Sequence, residues 1–73
     1  MKISVIYRIY DIRMKKSLSL RELSTLSGIS KSEINFIENG KKHPSVYTLC
    51  CLAVALQMLP EDLFVLIVED CPL

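Results

Sequence analysis

No apolar stretch in these 73 residues approaches the roughly 20 that a membrane-spanning helix needs; the longest, Leu49 to Leu59 and Leu63 to Val68, fall well short. One early lysine is followed by no apolar run with a small-residue cleavage site, so the chain is expected to stay in the cytoplasm. Tryptophan is missing, and Gly28 and Gly40 are the only glycines, which excludes a glycine-rich phosphate loop. Cysteine is sparse and odd in number: Cys50, Cys51 and Cys71. Cys50 and Cys51 are neighbours in a helical pattern, where side chains diverge by about 100°, so they do not readily bridge each other. No histidine or further cysteine stands at metal-ligand spacing from them, so one or two of the three read as core side chains of a reduced cytosolic protein, with no metal. A clustered carboxylate pair and a His–Cys or Ser–His spacing are lacking too, so no catalytic residue, cofactor or small-molecule ligand is expected.

Basic residues stop at Lys42. Residues 1–42 hold all nine Lys and Arg against Asp11, Glu22, Glu33 and Glu38, while residues 43–73 hold Glu61, Asp62, Glu69 and Asp70 and no cation. The formal net charge of +1 hides this division. A positive first half suits a polyanionic partner, with the acidic half turned away from it.

Apolar residues make up 51% of the chain, ample for a single domain over 1–73. Val5, Ile6, Ile9 and Ile12 form a helical stripe that predicts a first helix over residues 5–16, with Ile9, Ile12 and Leu18 facing the core. The β-branched residues within 1–7 also fit a short extended start. Ser19 and Glu22 have capping-box spacing, flanked by Leu18 and Leu23 as a hydrophobic staple, so a second helix begins at residue 20. Leu23 and Leu26 should point inward, and Gly28 can take the left-handed turn that ends the helix. Ser30 and Glu33 repeat the box before a third helix over 31–38, with Ile34 and Ile37 inside and Ile29 filling the corner. After the Asn39-Gly40 turn and the basic loop Lys41-Lys42-His43-Pro44, a fourth helix is expected over 46–56 with Leu49, Leu52, Ala53 and Leu56 inward. Pro60, Glu61 and Asp62 suit the first turn of a fifth helix with Leu63, Phe64 and Ile67 on its apolar face. The expected fold is an all-α five-helix bundle.

The run Ile9…Ile12-Arg13…Leu18-Ser19…Glu22-Leu23…Gly28-Ile29-Ser30…Ile34…Ile37-Glu38-Asn39-Gly40-Lys41…Pro44-Ser45…Leu49…Ala53…Leu56…Leu63 resembles the phage-repressor or Cro-like helix-turn-helix domain, the xenobiotic-response-element type. The resemblance covers about residues 8–67 and implies a lambda-repressor-like bundle with helices 2 and 3 as the helix-turn-helix. It implies sequence-specific binding of double-stranded DNA by a small transcriptional regulator, a repressor acting as a homodimer on a palindromic operator. Arg13 and Glu38 match a structural ion pair between the first and third helices. Lys31, Ser32, Asn35 and Phe36 match groove-facing positions of the recognition helix. Asn39, Lys41 and Lys42 match the loop that follows the DNA backbone, with Lys15, Lys16 and Arg21 able to widen that surface.

Two positions depart from the pattern. Leu20 stands where relatives often place a polar phosphate anchor, and Glu33 puts a carboxylate in the first turn of the recognition helix, for the capping box or a cytosine amine. Two other readings fit the same residues: a protein-protein interaction module using Leu20, Phe36 and Tyr47, and a nonspecific nucleic-acid binder relying on the basic loop. The expected dimer surface is the fifth helix with the tail around Val65, Leu66, Val68 and Leu73.

Overall fold

The computed structural model describes residues 1–70. Strand β1 (Lys2–Tyr7) leads into four helices, α1 (Ile9–Lys15), α2 (Leu20–Ser27), α3 (Lys31–Glu38) and α4 (Val46–Leu56). A 3-10 turn over Pro60–Leu63 then delivers the chain to strand β2 (Phe64–Glu69), which returns antiparallel along β1. The register runs from Lys2 opposite Glu69 to Tyr7 opposite Phe64. Cys71 and Leu73 lie outside the described residues.

The two ends of the chain correct the all-α expectation. The first helix starts at Ile9 rather than residue 5, and residues 2–7 take the extended alternative. The fifth helix is absent: Pro60 does open a helical turn, but it stops at Leu63, and Phe64–Glu69 is a strand. Five consecutive apolar residues, three of them β-branched, fit a strand as well as a helix face, and the β1 partner decides between them. The dimer surface expected on a fifth helix therefore has no helix to occupy; Val65, Leu66 and Val68 lie on β2.

Between the ends, local chemistry sets each helix boundary. At α2 the box closes in both directions: Glu22 N–H donates to Ser19 Oγ at 3.0 Å, and Ser19 N–H donates to Glu22 Oε1 at 2.9 Å. The Ser19 backbone donor, more than any other cause, holds the Glu22 carboxyl below its usual range. Gly28 ends α2 at φ 77°, its N–H bonding the Ser24 carbonyl at 2.9 Å. At α3 one half of the expected box forms, Glu33 N–H to Ser30 Oγ at 3.2 Å, while the Glu33 carboxylate lies 3.5 Å from Lys42 Nζ. Ser45 caps α4 by accepting from Thr48 N–H at 3.1 Å.

Three helices end in the doubly bonded Schellman pattern. After α3, Gly40 at φ 72° bonds Ile37 O at 3.1 Å and Lys41 N–H bonds Phe36 O at 2.8 Å. After α1 and α4 the left-handed position is filled by Ser17 at φ 56° and Gln57 at φ 58°, residues with a Cβ that disfavours it.

The core is Ile9, Ile12, Leu23, Ile34, Ile37, Leu52, Ala53, Leu56 and Leu63, all buried, so every element from α1 to the 3-10 turn contributes. Leu18, Leu20, Ile29 and Leu49 pack against it from partly exposed positions. Leu26 does not join them. It is 61% exposed, because the last turn of α2 faces a groove shared with Tyr47 and Val54 of α4. Cys50 and Cys51 are free thiols at half-buried positions in the same groove.

Backbone conformation alone gives a stability test. An added Cβ at Gly28 meets nothing within 4 Å, so Gly28→Ala should lower the unfolding free energy by about 1–2 kcal/mol through its φ alone. Gln57→Gly should raise it by about 0.5–1 kcal/mol. Urea denaturation reads both, and a Gly28→Ala protein as stable as the parent would refute the assignment of the left-handed turn.

Candidate nucleic-acid interface

The candidate surface is built on one buried cation. Arg13 sits in α1 with its side chain 8% exposed, and Glu38 closes α3 with its side chain 4% exposed. The guanidinium approaches the carboxylate as a fork: Nε donates to Oε2 at 2.8 Å and Nη2 to Oε1 at 3.0 Å. Nη1 donates to the Leu18 carbonyl at 3.0 Å, and the Tyr10 ring lies 5.3 Å from the guanidinium carbon. The hydrogen bonds to Glu38 are the main cause that raises the Arg13 pKa above its ordinary value. One cation thus ties α1, the turn before α2 and the end of α3 together.

With Glu38 engaged inward, α3 turns its other side to solvent. Lys31, Ser32, Asn35 and Phe36 are all exposed, while Ile34 and Ile37 anchor the opposite side. Phe36 is 48% exposed, so it is neither a core residue nor a free ring. Asn39 Nδ2 donates to Asn35 Oδ1 at 3.2 Å, which orients both amides along the end of α3. Lys41 and Lys42 follow immediately, exposed beyond the Gly40 turn. Leu20 packs on the core, so the first position of α2 offers no polar side chain to a phosphate.

Two features of this surface were not foreseen from the sequence. Lys42 is shared with Glu33, and their spacing across the α3 end gives no local signal of it. The Tyr7 hydroxyl and His43 Nδ1 are hydrogen-bonded at 2.8 Å, with the rings edge to face at 5.6 Å. Burial raises the Tyr7 phenol pKa. The base of the ribbon is thereby pinned to the basic loop. Of the other basic residues expected on this surface, Lys16 and Arg21 line grooves beside Leu18 and Leu26. Among the described residues no group of His, Cys, Asp and Glu could hold a metal ion, and no helix is long and apolar enough to cross a membrane.

The Arg13–Glu38 pair can be tested by breaking it from one side. Arg13→Met leaves a buried, unpaired carboxylate and should cost about 3–5 kcal/mol, whereas Arg13→Met with Glu38→Leu should recover most of that loss. A single-variant loss below about 1 kcal/mol in urea unfolding would mean the pair behaves like an exposed one.

A profile of the helix-turn-helix family HTH_3 matches residues 9–64. Among solved structures, the restriction-modification controller protein C.AhdI from Aeromonas hydrophila superposes with a TM-score of 0.73 at 33% identity, over 75% of this chain and 83% of its own. An HTH_3 family transcriptional regulator from Vibrio cholerae superposes with a TM-score of 0.70 at 30% identity, over 73% of this chain; this chain accounts for 30% of that protein. No curated protein matches the sequence. The profile runs from the first residue of α1 to the first residue of β2, so it takes in the capped corner, the Arg13–Glu38 pair and the basic loop and leaves the ribbon outside. The chain belongs to the HTH_3 helix-turn-helix family.

Proposed function

We propose that the protein is a sequence-specific double-stranded-DNA-binding transcriptional regulator, a repressor that acts as a homodimer on a palindromic operator. The observation that carries the reading is the exposed side of α3, which presents Lys31, Ser32, Asn35 and Phe36 together and continues into Lys41. A helix fits the major groove, about 12 Å wide, and first-turn side chains are the ones that reach base edges. Lys31 donates to guanine O6 or N7, Ser32 pairs with either kind of edge, and the Phe36 ring presses on a thymine methyl. Asn35 keeps its amide nitrogen for an edge acceptor, since its oxygen is held by Asn39. Asn39, Lys41 and Lys42 take phosphates and set the register; Arg21 and Lys16 extend the basic surface on the α2 flank. Membership of the family and the regulatory description of its Vibrio cholerae relative support the same role.

Glu33 acts against this by holding Lys42 at 3.5 Å. A phosphate competes with that carboxylate for the ammonium, so the phosphate contact of Lys42 is weakened by the need to release it from Glu33.

A second reading has one observation in its favour. Leu26, Tyr47 and Val54 are exposed along the groove between α2 and α4, which suits a protein partner on the same fold.

Salt separates the readings. With about six phosphate contacts per dimer, affinity for duplex DNA should fall about 10³-fold between 50 and 200 mM salt through counterion release. Absence of duplex binding at low salt would leave the protein-docking reading. Side-chain changes then divide the roles. Lys31→Ala should relax preference at one base position by about 1–3 kcal/mol, and Lys42→Ala should weaken every duplex alike. Glu33→Gln should tighten binding to every duplex. Equal loss on operator and random DNA after Lys31→Ala would make the protein a nonspecific binder.

A further inference from the structure

The ribbon is unused by the function proposed above, and its two edges differ. β1 runs beside the loop after α3: Ile3, Ser4 and Val5 face Gly40 and His43 across a groove, and Tyr7 is bonded to His43. β2 has β1 on one side, and no further strand pairs with its other side among the described residues.

The phase of the ladder tells which backbone groups of β2 are open. Arg8 N–H donates to the Leu63 carbonyl at 2.7 Å, one step beyond the Tyr7–Phe64 pair. Antiparallel pairs alternate between hydrogen-bonded and non-hydrogen-bonded. Val65, Ile67 and Glu69 therefore turn their amides and carbonyls toward β1, and Phe64, Leu66 and Val68 turn theirs outward. Natural edges are blunted with lysine, proline or bulges, yet Phe64 to Val68 contains no charge, no proline and no glycine. The side chains of the outward three share one face with Val5 and Ile3, and Leu66 is 55% exposed. A two-stranded ribbon is marginal by itself; a third or fourth strand supplies what it lacks.

We propose that β2 pairs antiparallel with β2 of a second copy about a two-fold axis at Leu66, giving a continuous four-stranded sheet. The proposal deepens the homodimer reading above and rests on it. Self-pairing of an antiparallel strand is two-fold by construction, because residue i against j requires j against i. With Leu66 opposite the partner's Leu66, Phe64 meets the partner's Val68 and Val68 meets the partner's Phe64. All three outward residues of each copy are then satisfied in one register. Moving the two-fold axis by one residue puts Val68 against Asp62 in the 3-10 turn or Phe64 against Asp70, whose φ of 55° leaves strand geometry. The Leu66 register also lays the acidic end of one β2 beside Leu63 of the other copy, about 10 Å or two strand spacings from Arg8 at the ribbon base. That juxtaposition is charge-complementary.

The test uses the full chain without DNA, with Cys50, Cys51 and Cys71 replaced by alanine. A hydrogen-bonded antiparallel pair holds its Cα atoms about 5.5 Å apart, inside the disulfide range, so Leu66→Cys should cross-link on mild oxidation. Val65→Cys lies on the other face and should cross-link at least about tenfold more slowly. The reduced protein should sediment as a dimer, and Leu66→Lys should sediment as a folded monomer by circular dichroism. A parent that stays monomeric at high micromolar concentration overturns the proposal. So does a dimer in which Val65→Cys reacts as fast as Leu66→Cys, or one whose mass survives Leu66→Lys. A monomer that binds duplex DNA in a salt-sensitive way would remove the strand pairing and leave DNA binding standing. A cross-linked dimer that binds no duplex would do the reverse.

Discussion

The Arg13–Glu38 pair is the constraint on which the rest of the structure hangs. Its fork joins the first helix to the last turn of α3, and the third guanidinium nitrogen holds the Leu18 carbonyl just before α2 begins. Bringing two charges this far from water is unfavourable unless every donor and acceptor is matched, and the geometry matches them. The consequence is positional. α3 cannot rotate about its axis without breaking two charge-assisted bonds, so Ile34 and Ile37 stay in the core and Lys31, Ser32, Asn35 and Phe36 stay outside. A surface meant to meet a partner repeatedly in one orientation requires such fixing before binding.

Much of the central unit was legible because each of its signals carries its own local reason. Ser19 and Glu22 bond each other, Gly28 takes a left-handed φ, and Ser30 caps the helix it precedes. The resemblance supplied the Arg13–Glu38 match, since nothing local connects residues so far apart in sequence. The ribbon was hidden for a physical reason: Phe64 to Val68 reads equally as helix or strand, and the deciding partner is at the other end of the chain. Leu26 was misplaced because helical period predicts an inward face, whereas the neighbouring turn of α4 leaves it uncovered. The spacing of Ser30 and Glu33 predicted a full capping box, and a longer-range cation, Lys42, took the carboxylate instead.

The exposed side of α3 is less simply basic than charge counting suggests. Of the cations around it, Lys42 is shared with Glu33, and the two asparagines are bonded to each other. Base reading on this account rests on few groups, with Lys31 foremost, and affinity rests on the loop. The ribbon enters through the Tyr7–His43 contact, which connects β1 to the same loop. Pairing two copies through β2 would then fix the spacing of their α3 helices by way of a short, hydrogen-bonded connection rather than a flexible tail.

The central claim is that α3 and the loop after it form the nucleic-acid surface. Backbone amide chemical shifts, followed during titration with a random-sequence duplex at low salt, test it residue by residue. The account predicts that the largest changes fall on Lys31 to Phe36 and Asn39 to His43. Changes confined to the α2–α4 groove around Leu26, Tyr47 and Val54, or no changes at any duplex concentration, would contradict it.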